Sequence, residues 1–101
     1  MWVIAMFDLP TDTPEARRAY TRFRKDLLDD GFTMMQYSVY TRHCASIDNA
    51  DIHVSRMGKR VPGEGEVRFM TITDKQWERI KVFVGKTRQP SAPAPAQLEF
   101  F

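Results

Sequence analysis

The chain of 101 residues carries 43% hydrophobic and 28% charged side chains, a formal charge of +2 and one cysteine. That length admits one compact domain with a small core, so association with a second copy is an expectation from size alone. Cys44 cannot form an intramolecular disulfide, no apolar run approaches the roughly 18 residues of a membrane span, and no signal-peptide pattern opens the chain. The cytoplasm is therefore the expected location, without a membrane partner.

Trp2 to Phe7 (WVIAMF) is a continuous apolar run of strand length, the pattern of a central strand covered on both faces. It stops at Asp8, and Pro10 biases Leu9 away from helix. Thr13 then suits a helix cap, Pro14 the first helical position and Glu15 the first turn. Ala16, Tyr20, Phe23 and Leu27 make one apolar stripe, which Gly31 ends. Thr33 to Thr41 reads as a strand, bent or straight, with Met35, Tyr37 and Val39 on one face and Gln36, Ser38 and Tyr40 on the other. A second helix is predicted from Asp48 to Lys59, with Ile47, Ala50, Val54, Met57 and Val61 as its stripe and Pro62-Gly63 as its end. Glu66 to Thr73 and Ile80 to Val84 read as strands, separated by a helical turn at Asp74 to Glu78.

Thr87 to Ala96 has the composition of an extended linker, yet the chain closes on the apolar string Gln97-Leu98-Glu99-Phe100-Phe101. The organisation is read as residues 1–86 forming the domain and 87–101 forming a Pro-rich arm with a terminal strand. The order of elements points to an α+β sandwich of ferredoxin-like type, two helices on one face of a four-stranded antiparallel sheet.

Two features carry chemistry. Asp8 ends a central strand, where sheets present reactive carboxylates, although an Asp there also serves as a turn or capping residue. One carboxylate is a poor Mg²⁺ site, and two copies converging across a two-fold axis would relieve that. The first helix carries Arg17, Arg18, Arg22, Arg24 and Lys25 against Glu15 alone. Arg18, Arg22 and Lys25 fall opposite the apolar stripe, with Arg17 and Arg24 on a flank, a face able to track phosphates. Cations ahead of Asp26, Asp29 and Asp30 oppose the helix dipole, a local cost that suits a functional face and equally leaves room for an ordinary solvated one. A second cluster, Arg56, Lys59 and Arg60, sits where the dipole favours cations. His43 and His53 lack partners at zinc spacing, Cys44 reads as a buried thiol, and the tyrosines read as core or interface aromatics rather than a base-stacking platform.

The strand ending in Asp8-Leu9-Pro10-Thr11, the helix Arg17-Arg18-Ala19-Tyr20 to Arg24-Lys25 and the string Gln36-Tyr37-Ser38-Val39-Tyr40 closely resemble the CRISPR-associated protein two family. Gly65-Glu66-Val67-Arg68 through Thr73-Asp74-Lys75-Gln76 looks like the version found with type II systems. The resemblance implies a ferredoxin-like homodimer in which each carboxy-terminal strand, with Leu98, Phe100 and Phe101, is exchanged onto the partner's sheet. It implies that Asp8 is the metal-associated and catalytic carboxylate, with Mg²⁺ as the cofactor, and that Arg17 and Arg18 are the nearest matches to nucleic-acid contacts. Tyr40 matches the aromatic of the cleft. Met34 stands where some members reported as ribonucleases carry Arg. The implied role is an adaptor that binds duplex prespacer DNA and bridges copies of the CRISPR integrase. The alternative is a Mg²⁺-dependent endonuclease on RNA or DNA, acting through paired Asp8 residues.

Overall fold

The computed structural model describes residues 1–90, so the predicted strand at Leu98, Phe100 and Phe101 lies outside the described residues. The elements are β1 (Trp2–Asp8), α1 (Pro14–Asp29), β2 (Thr33–Gln36), β3 (Val39–His43), α2 (Ile47–Gly58), β4 (Glu66–Ile72), α3 (Asp74–Glu78), β5 (Val82–Val84) and β6 (Thr87–Gln89). The main sheet has the order β2-β3-β1-β4 with every pair antiparallel. This is the ferredoxin-like arrangement predicted from the element order. Val3, Ala5 and Phe7 of β1 enter one core with Phe23 and Leu27 of α1 and Ala50 and Met57 of α2. Both long helices therefore cover the same face. Each fully buried Val, Leu, Phe or Met side chain of that core stabilises the fold by about 1.5–3 kcal/mol.

Local signals set the boundaries. The Thr13 hydroxyl caps α1 by accepting from Ala16 N–H at 3.0 Å, and Ser46 caps α2 by accepting from Asn49 N–H at 3.1 Å. α1 ends when Gly31 takes φ 92°. There Gly31 N–H donates to Leu28 C=O and Phe32 N–H to Leu27 C=O, which satisfies two carbonyls of the last turn. On α2, Ile47 is exposed at 56% while His53 is buried. Ala50, His53 and Met57 are buried and Val54 and Val61 pack against the core as predicted, so of the predicted stripe only Ile47 faces away.

Two strand assignments are corrected. Thr33 to Thr41 is a hairpin whose chain reverses at Tyr37-Ser38, with Met34 opposite Tyr40 and Gln36 opposite Val39. The alternation predicted across it fails because Ser38 adopts φ 62°, a left-handed conformation that costs a non-glycine residue about 1–3 kcal/mol. Bonds made there offset the cost: Ser38 C=O accepts from Phe7 N–H at 3.1 Å, and its hydroxyl pairs with the Tyr20 hydroxyl at 3.1 Å. The other correction concerns Ile80 to Val84. Val82–Val84 does not join the main sheet but pairs with Thr87–Gln89, the first residues of the predicted linker. Gly85 at φ 63° permits the tight turn between them.

The opposite sheet face is covered at one end by α3. Trp77 stacks on Trp2 with ring centroids 3.8 Å apart and planes at 8°, and His43 meets Trp2 edge-on at 4.9 Å. The Trp2 indole N–H is buried without a hydrogen-bond partner among the described residues.

Asp30, at the end of α1, joins three elements. Its carboxylate accepts from His53 Nδ1 at 2.7 Å and Arg56 Nη1 at 2.6 Å, and its carbonyl accepts from Arg42 Nε at 2.8 Å. Burial alone would raise its pKa, but the hydrogen bonds from His53 and Arg56 outweigh burial and hold the carboxyl below its ordinary value. A depressed folded-state pKa contributes stability above the unfolded carboxylate range and loses it as pH falls through the folded value. Asp30→Asn is therefore expected to cost about 1–3 kcal/mol in urea unfolding at pH 7. The gap to wild type should narrow below about pH 4, the carboxylate range; a gap independent of pH would show that the ionised form is not what matters.

Candidate nucleic-acid interface and strand-end carboxylate

Asp8 closes β1 in register with Glu66 of β4 and is exposed. Since successive strand residues point to opposite faces, Asp8 lies with Trp2, Ile4 and Met6 on the face that neither α1 nor α2 covers, the helix-free face apart from α3 seated at its far end. Its backbone is fixed from both sides. Phe7 N–H donates to Ser38, and Gly65 packs directly over the Asp8-Leu9 peptide. A Cβ on Gly65 would lie 2.7 Å from Asp8 O and 2.8 Å from Leu9 Cδ2, and Gly65 holds φ 89°. Only glycine allows β4 to begin this close to the end of β1.

The carboxylates of one chain do not make a Mg²⁺ site. Asp8 and Glu66 are cross-strand neighbours, but Glu66 already accepts from Arg68 Nε at 2.6 Å. Among the described residues, no three His, Cys, Asp or Glu side chains group where they could hold a metal ion. Mg²⁺ requires more oxygen ligands than this, so a single chain does not fit it. His43 is remote from Asp8: it pairs with Trp2 at the opposite end of β1 and contacts Asp74 at 3.1 Å. Asp74 is held below the ordinary carboxylate value chiefly by its hydrogen bond with the amino-terminal ammonium at 2.8 Å, and by His43 as well.

Arg17, Arg18, Arg22 and Lys25 line one open groove along α1 with Pro14 and Thr21. Arg18 meets Glu15 at 3.6 Å and Lys25 meets Asp29 at 3.0 Å, both pairs being well exposed. Such surface pairs are worth about 0–1 kcal/mol, so a phosphate can displace them at little cost. Arg22 has no ionic partner among the described residues. Arg17 donates from Nη1 to Thr11 C=O at 3.1 Å, which pins it at the start of the helix. Arg24 turns toward the sheet and donates from Nε to the Tyr40 hydroxyl at 2.8 Å.

The structure places Tyr40 in the core, 1% exposed and stacked on Phe7 at 5.7 Å, rather than on a cleft wall. Its hydroxyl supports Arg24 from below. Tyr37 instead reaches the surface, 78% exposed. Tyr40 thus takes the core place read for the tyrosines, while Tyr37 stands beside the left-handed turn at Ser38 and faces solvent. The second basic cluster is largely taken up by structure: Arg56 bonds Asp30 at 2.6 Å and Arg60 approaches Asp26 at 3.6 Å. Met34, on edge strand β2, is 54% exposed and brings no cation to this end of the sheet.

Residues 1–80 match the family described as CRISPR associated protein Cas2. The chain belongs to that family. A relative from Parvibaculum lavamentivorans, named CRISPR-associated endoribonuclease Cas2, is 74% identical over 101 residues and covers both chains completely. Another of the same name, from Flavobacterium psychrophilum, is 44% identical over all of this chain and 88% of its own. The crystal structure of Streptococcus pyogenes Cas2 superposes with a TM-score of 0.61 at 21% identity, covering 83% of this chain and 100% of that one. That last likeness concerns the fold alone and agrees with the ferredoxin-like architecture. No helix among the described residues is long and apolar enough to cross a membrane.

Gly65→Ala provides a test of how Asp8 is held. The clash with Asp8 O and the positive φ should together cost about 1–3 kcal/mol, seen as a drop in Tm of roughly 4–8 °C per kcal/mol. An unchanged Tm would mean that β4 can shift away from the end of β1 freely.

Proposed function

We propose that this chain is a nucleic-acid-binding subunit of CRISPR spacer acquisition, acting as a homodimer that holds duplex prespacer DNA and bridges copies of the integrase. The observation that carries the reading is the position of the basic face. Arg17, Arg18, Arg22 and Lys25 share one open groove on α1, away from the sheet, and are held by weak exposed pairs or none. A rigid helix that presents arginines in this way suits phosphate contact without a catalytic group. Dimerisation is supported by the helix-free side of the molecule. Met70 is 44% exposed there, and the β5–β6 ribbon exposes Val82, Phe83 and Val84 at 36%, 59% and 66%. In this reading the arm beyond Pro90 carries Leu98, Phe100 and Phe101 to the partner's sheet, where main-chain pairing and apolar burial fix it.

A second reading, a metal-dependent endonuclease, is favoured by the names of the relatives, which are called endoribonucleases. Asp8 stands on the helix-free face, so a two-fold axis passing beside this end of β1 would bring two Asp8 carboxylates together and supply ligands for Mg²⁺ that one chain lacks.

Arg18→Glu combined with Arg22→Glu should weaken duplex binding and make the slope of log K against log salt shallower by about 0.9 for each phosphate no longer neutralised. An unchanged slope and affinity would remove α1 from the interface. In a spacer-integration assay with the cognate integrase, Asp8→Ala should leave integration intact while abolishing any Mg²⁺-dependent cleavage. Lost integration with normal folding and DNA binding would refute the adaptor role, and cleavage that persists would refute Asp8 as the nuclease residue.

A further inference from the structure

Tyr37 is the most exposed large apolar side chain among the described residues, at 78%, and it is not loose. It occupies the tight reversal between β2 and β3, next to Ser38 at φ 62°. One face of its ring lies over Tyr20 of α1, with centroids 6.2 Å apart and planes at 24°. Tyr20 is itself fixed by its hydroxyl contact with Ser38 and by an edge-on contact with Phe7 at 5.8 Å. Phe7 in turn packs edge-on against Phe23 at 5.3 Å and on Tyr40 at 5.7 Å. A continuous aromatic column thus runs from the core to the surface and ends in one open ring face.

Two cations flank Tyr20, the residue on which that ring rests. Arg17 and Arg24 stand three residues before and four residues after Tyr20, on the same side of α1. Each is oriented by a single bond from its guanidinium, to Thr11 C=O and to the Tyr40 hydroxyl. A guanidinium has five N–H donors, so most remain for a phosphate. A phenol is neutral at physiological pH, and the hydrogen bond with Tyr20 pushes the Tyr37 hydroxyl further up. The platform also lies on the helix side of the sheet, and covering the helix-free face with a second copy leaves it open.

We infer that Tyr37 is a stacking platform for one unpaired nucleobase of a single-stranded nucleic acid, with Arg17 and Arg24 beside it to hold the adjoining phosphates. This rests on the reading of the chain as a nucleic-acid-binding subunit and adds an interaction that a continuous duplex cannot make, since stacked and paired bases offer no free face. An exposed aromatic ring that is already ordered pays little entropy on binding. An alkyl surface of equal area would bury apolar area but could not stack.

The test measures binding of the full-length protein to a fluorescein-labelled single strand, DNA in one arm and RNA in another, and to a covalently closed circular duplex, which has no terminal base pair. Tyr37→Ala should weaken single-strand binding about tenfold, the size of one base–aromatic stack, with an unchanged salt slope because every phosphate keeps its cation. Tyr37→Phe should bind as wild type, and duplex binding should be the same for all three proteins. The two single-strand arms identify whether the stacked strand is DNA or RNA. Equal single-strand affinity of wild type and Tyr37→Ala in both arms overturns the inference. An equal weakening on duplex overturns it as well, and so does a weakening in Tyr37→Phe as large as in Tyr37→Ala. If wild type binds neither single strand nor duplex, the nucleic-acid reading falls too. If duplex binding responds to Arg18→Glu with Arg22→Glu while Tyr37→Ala changes nothing, only the platform is refuted.

Discussion

β1 is hydrogen-bonded along both edges, to β3 on one side and β4 on the other, and is covered on both faces. Val3 and Ala5 are fully buried under the helices, while Ile4 and Trp2 are 4% and 8% exposed on the other side. A strand paired and covered in this way has no freedom to slip, because a shift of one residue would exchange its two apolar faces and break both ladders. Everything of functional interest is referred to it. Asp8 is its last residue, the Tyr37-Ser38 turn is bonded to Phe7, and Gly65 lies against the Asp8-Leu9 peptide. The working end of the molecule is therefore tied directly to its core.

The same strand separates two kinds of surface. On the helix side, α1 presents its cations to solvent and α2 is locked to the end of α1 through Asp30. On the other side, Asp8, Glu66 and Arg68 border an apolar region that runs past Met70 toward α3. Phosphate binding and association with another copy can thus proceed on different faces without competing for area. Under the proposed dimer the carboxylate lies on the face that associates, which ties any chemistry at Asp8 to assembly in a way that binding through α1 is not.

Much of this is legible in the chain before any coordinates. The run WVIAMF has the length and continuity of a covered strand, and Thr13-Pro14-Glu15 with Gly31 brackets α1 by elementary capping rules. Asp8 and the arginines of α1 follow from those two elements. The hairpin is harder to read, because its turn has no glycine, asparagine or proline. Ser38 is held in a left-handed conformation by contacts with Phe7 and Tyr20, both distant in sequence. Alternation counted straight through that turn does not tell which side Tyr37 falls on. His53 escapes in the same manner: a histidine on an apolar stripe looks like an interruption until Asp30, 23 residues earlier, supplies its partner. In each case the deciding interaction is between elements, and no local pattern contains it.

The stacked indoles have a practical meaning. The chain has two tryptophans, Trp2 and Trp77, and both belong to that one parallel pair. Both indoles sit at one place, so the tryptophan contribution to the near-ultraviolet circular dichroism and to the intrinsic emission, beside that of the three tyrosines, reports on a single locus. That locus is where α3 seats on the helix-free face, beside the apolar region and at the far end of β1 from Asp8. The molecule thus carries its own optical reporter of that face, one that registers undocking of α3 or the arrival of another surface without any label.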